Sequence, residues 1–177
     1  MGIILESPRL LFRPHLKTDL DAFCNMEMDP NVRRYAGGNP RTREEAEKRF
    51  PGNQAENAGK ERLAVWAAIL KTGNLYIGRS GLYPHFNRDG GQISGEAALS
   101  FYIAYPHWRN GFATEAGKAF IDFGFTELAL QRISATVMKG NDASVHILEK
   151  LGFALVSTEE GQRTFYHFTL QNPTKGQ

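Results

Sequence analysis

Two short stretches hold the residue types from which a site for a small anionic ligand can be built. YPHWRNGFATEA, residues 105–116, runs from the end of a predicted strand, through a turn with Gly111 and the small Ala113, into a predicted helix. The first N–H groups of a helix lack intrahelical partners and lie at the positive end of its dipole. Such a turn is an anion cradle, and Gly111 and Ala113 let a phosphate approach its main chain closely. The same residues also suit plain strand-to-helix packing, and the local pattern leaves both uses open. No Gly-Lys-Ser/Thr follows, which excludes a Walker loop, and the three spaced glycines of a dinucleotide fingerprint are absent. The second stretch is GNDASVHILEKLGF, residues 140–153. Asn141 and Ser144 stand three apart, so on a helix they face one pocket together. Taken alone, the pair reads more simply as a helix cap and a residue of the opening turn.

Other reactive residue types lack a supporting pattern. His15, His85, His107, His146 and His167 show no metal-ligand spacing and have no cysteines near them, so no metal site is expected. GRSG at 78–81 lacks the spacing of a nucleophile elbow. The single cysteine, Cys24, falls on an apolar helical face and reads as core. Trp66, Tyr83, Phe86 and Tyr102 suit either an acceptor pocket or the core of a sheet.

The elements that must position these residues follow from size and periodicity. A chain of 177 residues with 41% hydrophobic and 23% charged residues fits one domain, expected over 8–170, with a frayed tail at 171–177. The longest apolar run, LAVWAAIL at 63–70, is far short of the roughly 20 residues of a spanning helix. A net charge of +2 without a basic run argues against nucleic acid. One cysteine, and charges at Glu6 and Arg9 before any apolar stretch, point to a cytoplasmic protein without a signal peptide. Residues 10–13 read as a strand. Thr18 with Asp21, and Thr42 with Glu45, read as capping boxes opening two helices. Residues 63–70, 75–82 and 96–105 read as strands, with a polar loop over 84–95, and a helical stripe runs from Ala116 through Phe120, Ile121 and Gly124 to Leu128. A strand at 132–138, a helix closed by Gly152, and a hairpin of 153–158 with 163–170 complete the chain. The order β-α-α-β-β-β-α-β-α-β-β predicts an α/β (α+β) domain with a mixed sheet of about seven strands. The right-handed crossover makes strands 96–105 and 132–138 parallel neighbours or nearly so.

With both helix starts brought to neighbouring strands, the sequence resembles the GNAT N-acetyltransferase superfamily, and within it the branch of the ribosomal-protein N-terminal alanine acetyltransferases. SPRLLFRP matches the opening strand of that branch, WRNGFATEA its pyrophosphate loop, and NDASVHILEKLGF its second helix. Trp108 stands at the Gln/Arg position of the loop pattern, Gly111 and Ala113 match it, and Arg109 replaces a glycine common in the branch. The resemblance implies acetyl-CoA as acetyl donor, held by the main chain of Arg109, Asn110, Gly111, Phe112, Ala113 and Thr114. The pantetheine arm would pair with a splayed strand end at Phe101, Tyr102, Ile103, Ala104 and Tyr105, Asn141 would bind its amide, and Ser144 would lie near the sulfur. Direct transfer to a primary amine then needs an oxyanion donor, expected at the Ile103 N–H, and a proton for the leaving thiolate, expected from Ser144. It also needs a base for the amine. Many members of the branch carry an acid where Ala98 stands here, and Glu96 on the same face is the substitute candidate, with a surface carboxylate as the alternative. The acceptor is a protein N-terminus or a small molecule such as a polyamine or an aminated antibiotic, contacted by the two N-terminal helices and the 84–95 loop. The protein is expected to be a monomer or homodimer without metal, nucleic acid or membrane partner. The missing acid at Ala98 also fits a catalytically silent acyl-CoA-binding sensor.

Overall fold

The computed structural model describes residues 2–51, 62–87 and 89–174. Eight strands form one mixed sheet: β1 Leu5–Glu6, β2 Leu10–Arg13, β3 Ala64–Leu70, β4 Leu75–Phe86, β5 Gln92–Ile103, β6 Arg132–Met138, β7 Ala154–Glu159 and β8 Phe165–Gln171. Their spatial order is β1-β2-β3-β4-β5-β6-β8-β7, and β5–β6 is the parallel pair. Among the described residues the helices are α1 Leu20–Met28, α2 Pro30–Arg33, α3 Arg43–Lys48, α4 Phe112–Thr126 and α5 Asp142–Lys150. The additional strand is β1, whose two residues pair with Leu11 and Phe12. The additional helix is the single turn α2, which starts where Asp29 Oδ1 accepts the Asn31 N–H beside Pro30.

Each face of the sheet has its own core. On one side α4 and α5 bury Phe112, Ala116, Phe120, Ile121 and Leu148 against Phe12, Ile77, Leu99, Ile133 and Phe168. On the other, α1–α3 bury Phe23, Cys24, Met26, Val32 and Ala46 against Ala67, Ile69 and Tyr76. Burial pushes the Cys24 thiol up, away from thiolate, as suits a core side chain.

Several local expectations change. Thr42 and Glu45 form their capping box, but Thr18 and Asp21 do not open α1. Asp19 is buried there, accepts the Leu16 N–H and grips Arg13 through both carboxylate oxygens, at 2.6 and 2.9 Å. The 84–95 loop shrinks to 87–91, because β4 and β5 extend into it. Pro84 is tolerated since it lies beyond Leu82, the last β4 residue paired with β3, so its missing N–H costs no ladder bond. The tail is ordered further than expected. Gln171 ends β8, and Asn172 is buried with its N–H on Gln131 O and its amide on Leu130 O. Residues 175–177 lie outside the described residues.

Candidate active site

The parting of β5 from β6 creates the site. Their pairing is confined to Glu96–Ala98 against Arg132–Ser134. Beyond it β5 stays paired with β4, where Ala104 donates to Ile77 O and Tyr102 pairs with Arg79. Backbone bonds in an antiparallel ladder alternate in direction, so Phe101 and Ile103 turn their N–H groups away from β4, into the gap that β6 has left. A cavity of about 590 Å³ occupies this gap and the ground outside it. Its walls are Phe101–Ile103 of β5, the turn from His107 into α4, the start of α5, and residues 31–36 of α2 and the turn after it.

The turn between β5 and α4 is held in shape by its own side chains. Trp108 Nε1 donates to Ile103 O at 2.6 Å, tying the turn to the strand end. The Asn110 amide bonds the carbonyls of His107 and Trp108. Gly111 caps α4 at φ +77°, a left-handed conformation natural to glycine. The helix begins at Phe112, so the N–H groups of Phe112, Ala113 and Thr114 open it, while Glu115 N–H already bonds Gly111 O. Arg109 holds φ +63°, a left-handed conformation more natural to glycine, and adds a cation at the cavity wall.

Of the residues expected to hold the donor, Phe101, Tyr102, Ile103, Arg109, Gly111, Phe112, Ala113, Thr114, Asn141 and Ser144 line this cavity. Ala104, Tyr105 and Asn110 do not. Ala104 serves the β4 ladder, Tyr105 packs edge-on against Trp108 at 5.1 Å, and Asn110 braces the turn. The cap on α5 is real: Asn141 Oδ1 accepts the Ser144 N–H at 3.3 Å. Capping uses the oxygen of Asn141 and the main chain of Ser144, so it does not compete with the donor amide or the hydroxyl.

Glu96 is placed elsewhere. It sits in the paired part of β5, seven residues from Ile103, which is about 23 Å along a strand. There its carboxylate is bonded by Arg132 and, at 3.1 Å, by His85 Nδ1. Glu96 lines neither cavity, and its carboxylate is engaged by Arg132 and His85.

A smaller cavity of about 100 Å³ adjoins the first between β5 and β6. Tyr35, Phe101, Tyr102, Asn141 and Ser144 border both, and Tyr83, Leu99, Ser100, residues 135–138 and Leu148 complete its walls. Asn31, Val32, Arg34, Tyr35 and Ala36 supply the contact from the N-terminal region, whereas the two helices expected there, α1 and α3, and the described residues of 84–95 line neither cavity. Tyr35 was not legible as a site residue, since it lies in a turn with no motif. Nearby, Glu27 is 2% exposed and is paired with Arg33, Arg41 and Arg79 at 3.3, 2.8 and 2.7 Å. Arg79 also stacks on Tyr102, its guanidinium carbon 4.7 Å from the ring centroid.

Residues 9–154 match the family described as the acetyltransferase (GNAT) domain. The chain is 33% identical over 150 residues to the uncharacterized N-acetyltransferase p20 of Bacillus licheniformis, covering 84% of this chain and 81% of that one. This chain belongs to the GNAT acetyltransferase family. Two solved structures share its fold with TM-scores of 0.73. One is the spermidine N-acetyltransferase of Vibrio cholerae in complex with CoA and spermine, 21% identical and covering 93% of this chain and 96% of its own. The other is a ribosomal-protein alanine acetyltransferase from Vibrio fischeri, 18% identical and covering 95% and 96%. Folds so alike with such different acceptors leave the acceptor of this GNAT enzyme to its own residues.

Proposed function

We propose that the enzyme transfers an acetyl group directly from acetyl-CoA to a primary amine, without an acyl-enzyme. The observation that carries this reading is the pair of N–H groups, at Phe101 and Ile103, facing the gap between β5 and β6. Acetyl-CoA fits the residues present: unpaired N–H groups at the start of α4 and the Arg109 cation meet its phosphates, and the open edge of β5 offers ladder bonds to an amide-bearing arm. The donor brings a thioester whose thiolate leaves once the amine has added. Ile103 N–H is the group placed to hold the developing oxyanion, and preorganised donors of this kind are worth about 3–4 kcal/mol of barrier. Ser144 borders both cavities, which suits a hydroxyl that gives the departing sulfur its proton.

The acceptor enters through the smaller cavity. Among the described residues that line it, none is charged, and Asp142 is the one carboxylate on the wall of the larger cavity. Glu27, the nearby buried acid, is already matched by three guanidinium groups. A polycation finds little there to replace the water it gives up. The reading favoured within the family is therefore a monoamine, including the N-terminus of a protein as in the ribosomal-protein branch, over a polyamine.

The test is a panel of peptides, small monoamines and polyamines incubated with acetyl-CoA and read by mass spectrometry, alongside thermal melts with CoA. Acetylation of peptides or monoamines in preference to spermidine supports the proposal, and preference for spermidine overturns the acceptor class. Binding of CoA with no product across the panel gives the sensor reading instead.

A further inference from the structure

The base that Glu96 does not supply has a candidate on β6, β8 and β7. Thr136 borders the acceptor cavity from the face of the sheet opposite α4 and α5. Its Oγ1 is 3.2 Å from His167 Nδ1 on the neighbouring strand, and His167 Nε2 is 3.0 Å from a Glu159 carboxylate oxygen on the strand beyond. The register explains the alignment, since Thr136 lies directly across from His167 and Glu159 one further pair along the same face. Glu159 accepts the Nε2–H, which fixes the tautomer and leaves Nδ1 to accept from the Thr136 hydroxyl. The other same-face neighbours of His167, which are Ser134 and Met138 on β6, Ser157 on β7, and Phe165 and Thr169 along β8, are uncharged, so among these strands Glu159 is the charged group it faces.

The geometry points to a proton relay, Thr136 to His167 to Glu159, that carries the ammonium proton of the acceptor from the smaller cavity to solvent; it rests on the amine acetyltransfer proposed above. The ammonium gives one proton to Thr136 Oγ1 as the Thr136 hydroxyl proton passes to His167 Nδ1. The neutral amine then adds its lone pair to the thioester carbonyl carbon, and the C–S bond breaks as the carbonyl re-forms. The nitrogen loses its second proton, and one proton is gained by the sulfur. The imidazolium returns its proton to water, which reaches it because the His167 side chain is 33% exposed. Amide, thiol and one released proton balance the ammonium and thioester consumed. Thr136 is the catalytic residue of the three, while His167 and Glu159 act through it.

His167→Gln keeps the size and some hydrogen bonding but cannot carry the proton, and Thr136→Val removes the contact while Thr136→Ser keeps it. The readout is kcat/KM for the best amine of the panel across pH, with KM for acetyl-CoA and the melting temperature measured in parallel. A relay predicts a loss of at least about tenfold near neutral pH for His167→Gln and Thr136→Val. The loss should close as pH approaches the amine's own pKa, about 10 for an aliphatic amine, where free amine needs no base. Acetyl-CoA KM should stay unchanged, and Thr136→Ser should retain activity. A loss of equal size at every pH, or no loss, overturns the relay while leaving acetyltransfer standing. Wild-type protein that acetylates no amine overturns both. Should His167→Gln fail to fold, the Thr136 pair decides the matter by the same criteria.

Discussion

Arg9 and Glu115, 106 residues apart, lock the segment between β1 and β2 onto the start of α4. The Glu115 carboxylate accepts from Arg9 N–H at 2.7 Å, Arg9 Nε at 2.6 Å and Ser7 Oγ at 2.7 Å. Arg9 also reaches Asn110 O at 3.0 Å and lies over the Phe112 ring. The SPRL segment is therefore a brace for the cradle as well as a strand. Burial raises the Glu115 pKa, but the hydrogen bonds from Arg9 and Ser7 outweigh it, and the carboxyl ends below its usual range. The brace is fully present above the ordinary glutamate pKa of 4.5 and is lost as pH falls through the lowered folded value. Glu115→Ala should weaken CoA binding on the order of tenfold, because the turn loses its anchor while its own residues are unchanged. Calorimetric titration of CoA into both proteins checks this, and equal affinities would show that the brace serves stability alone.

Arg109 holds a left-handed backbone conformation that costs a non-glycine residue about 1–2 kcal/mol. Arg109→Gly should relieve that cost in part, the gain being reduced by the greater freedom of glycine in the unfolded chain. Donor affinity should move the opposite way, since a cation at the cavity wall is lost. The expected result is a melting temperature unchanged or raised together with a CoA dissociation constant raised several-fold. A variant that binds CoA as tightly as wild type would show that Arg109 is a solvated side chain.

Ser144 separates binding from chemistry. Its N–H, and not its hydroxyl, meets the Asn141 cap, so Ser144→Ala should leave stability within about 0.5 kcal/mol of wild type. Turnover should fall by about tenfold or more if the hydroxyl protonates the thiolate, with water able to replace part of its role. Matched kcat values for the two proteins would take Ser144 out of the chemistry.

The cradle was legible because its two determinants, a glycine at a helix start and a strand before it, are local. The same holds for α5, marked by Asn141 at one end and Gly152 at the other, and for β6, a run of alternating residues that matches 132–138. What escaped depends on tertiary partners. Nothing near Glu96 announces which end of β5 stays paired with β6, or that Arg132 and His85 engage its carboxylate. Asp19 displaces the Thr18–Asp21 box because Arg13, on a strand, offers it two charge-assisted hydrogen bonds. β1 and α2 are too short for any period to register. The Thr136, His167 and Glu159 alignment needs a register across three strands, two of which are not adjacent in sequence.

His15 gives the fold a measurable acid sensitivity of its own. It is 4% exposed, ringed by Phe23, Phe50 and Tyr76, with Tyr76 Oη 3.5 Å from its Nε2. Burial, and then the charge of Arg79, lower its pKa from 6.5 to about 4. Above pH 6.5 the ring is neutral in both folded and unfolded chains and contributes nothing to pH dependence. Between pH 6.5 and about 4 the unfolded chain takes up a proton that the native protein refuses, so stability falls as pH falls. A shift of this size corresponds to a loss of about 3 kcal/mol by the bottom of the window. His15→Gln cannot take up that proton in either state. It should cost stability at neutral pH, because an amide replaces an aromatic ring among Phe23 and Phe50, yet it should lose less on acidification than wild type. Urea unfolding of both proteins across the window measures the difference directly, and the carboxylates common to both cancel in it. Parallel curves would mean that His15 is protonated in the native state as readily as in the unfolded chain.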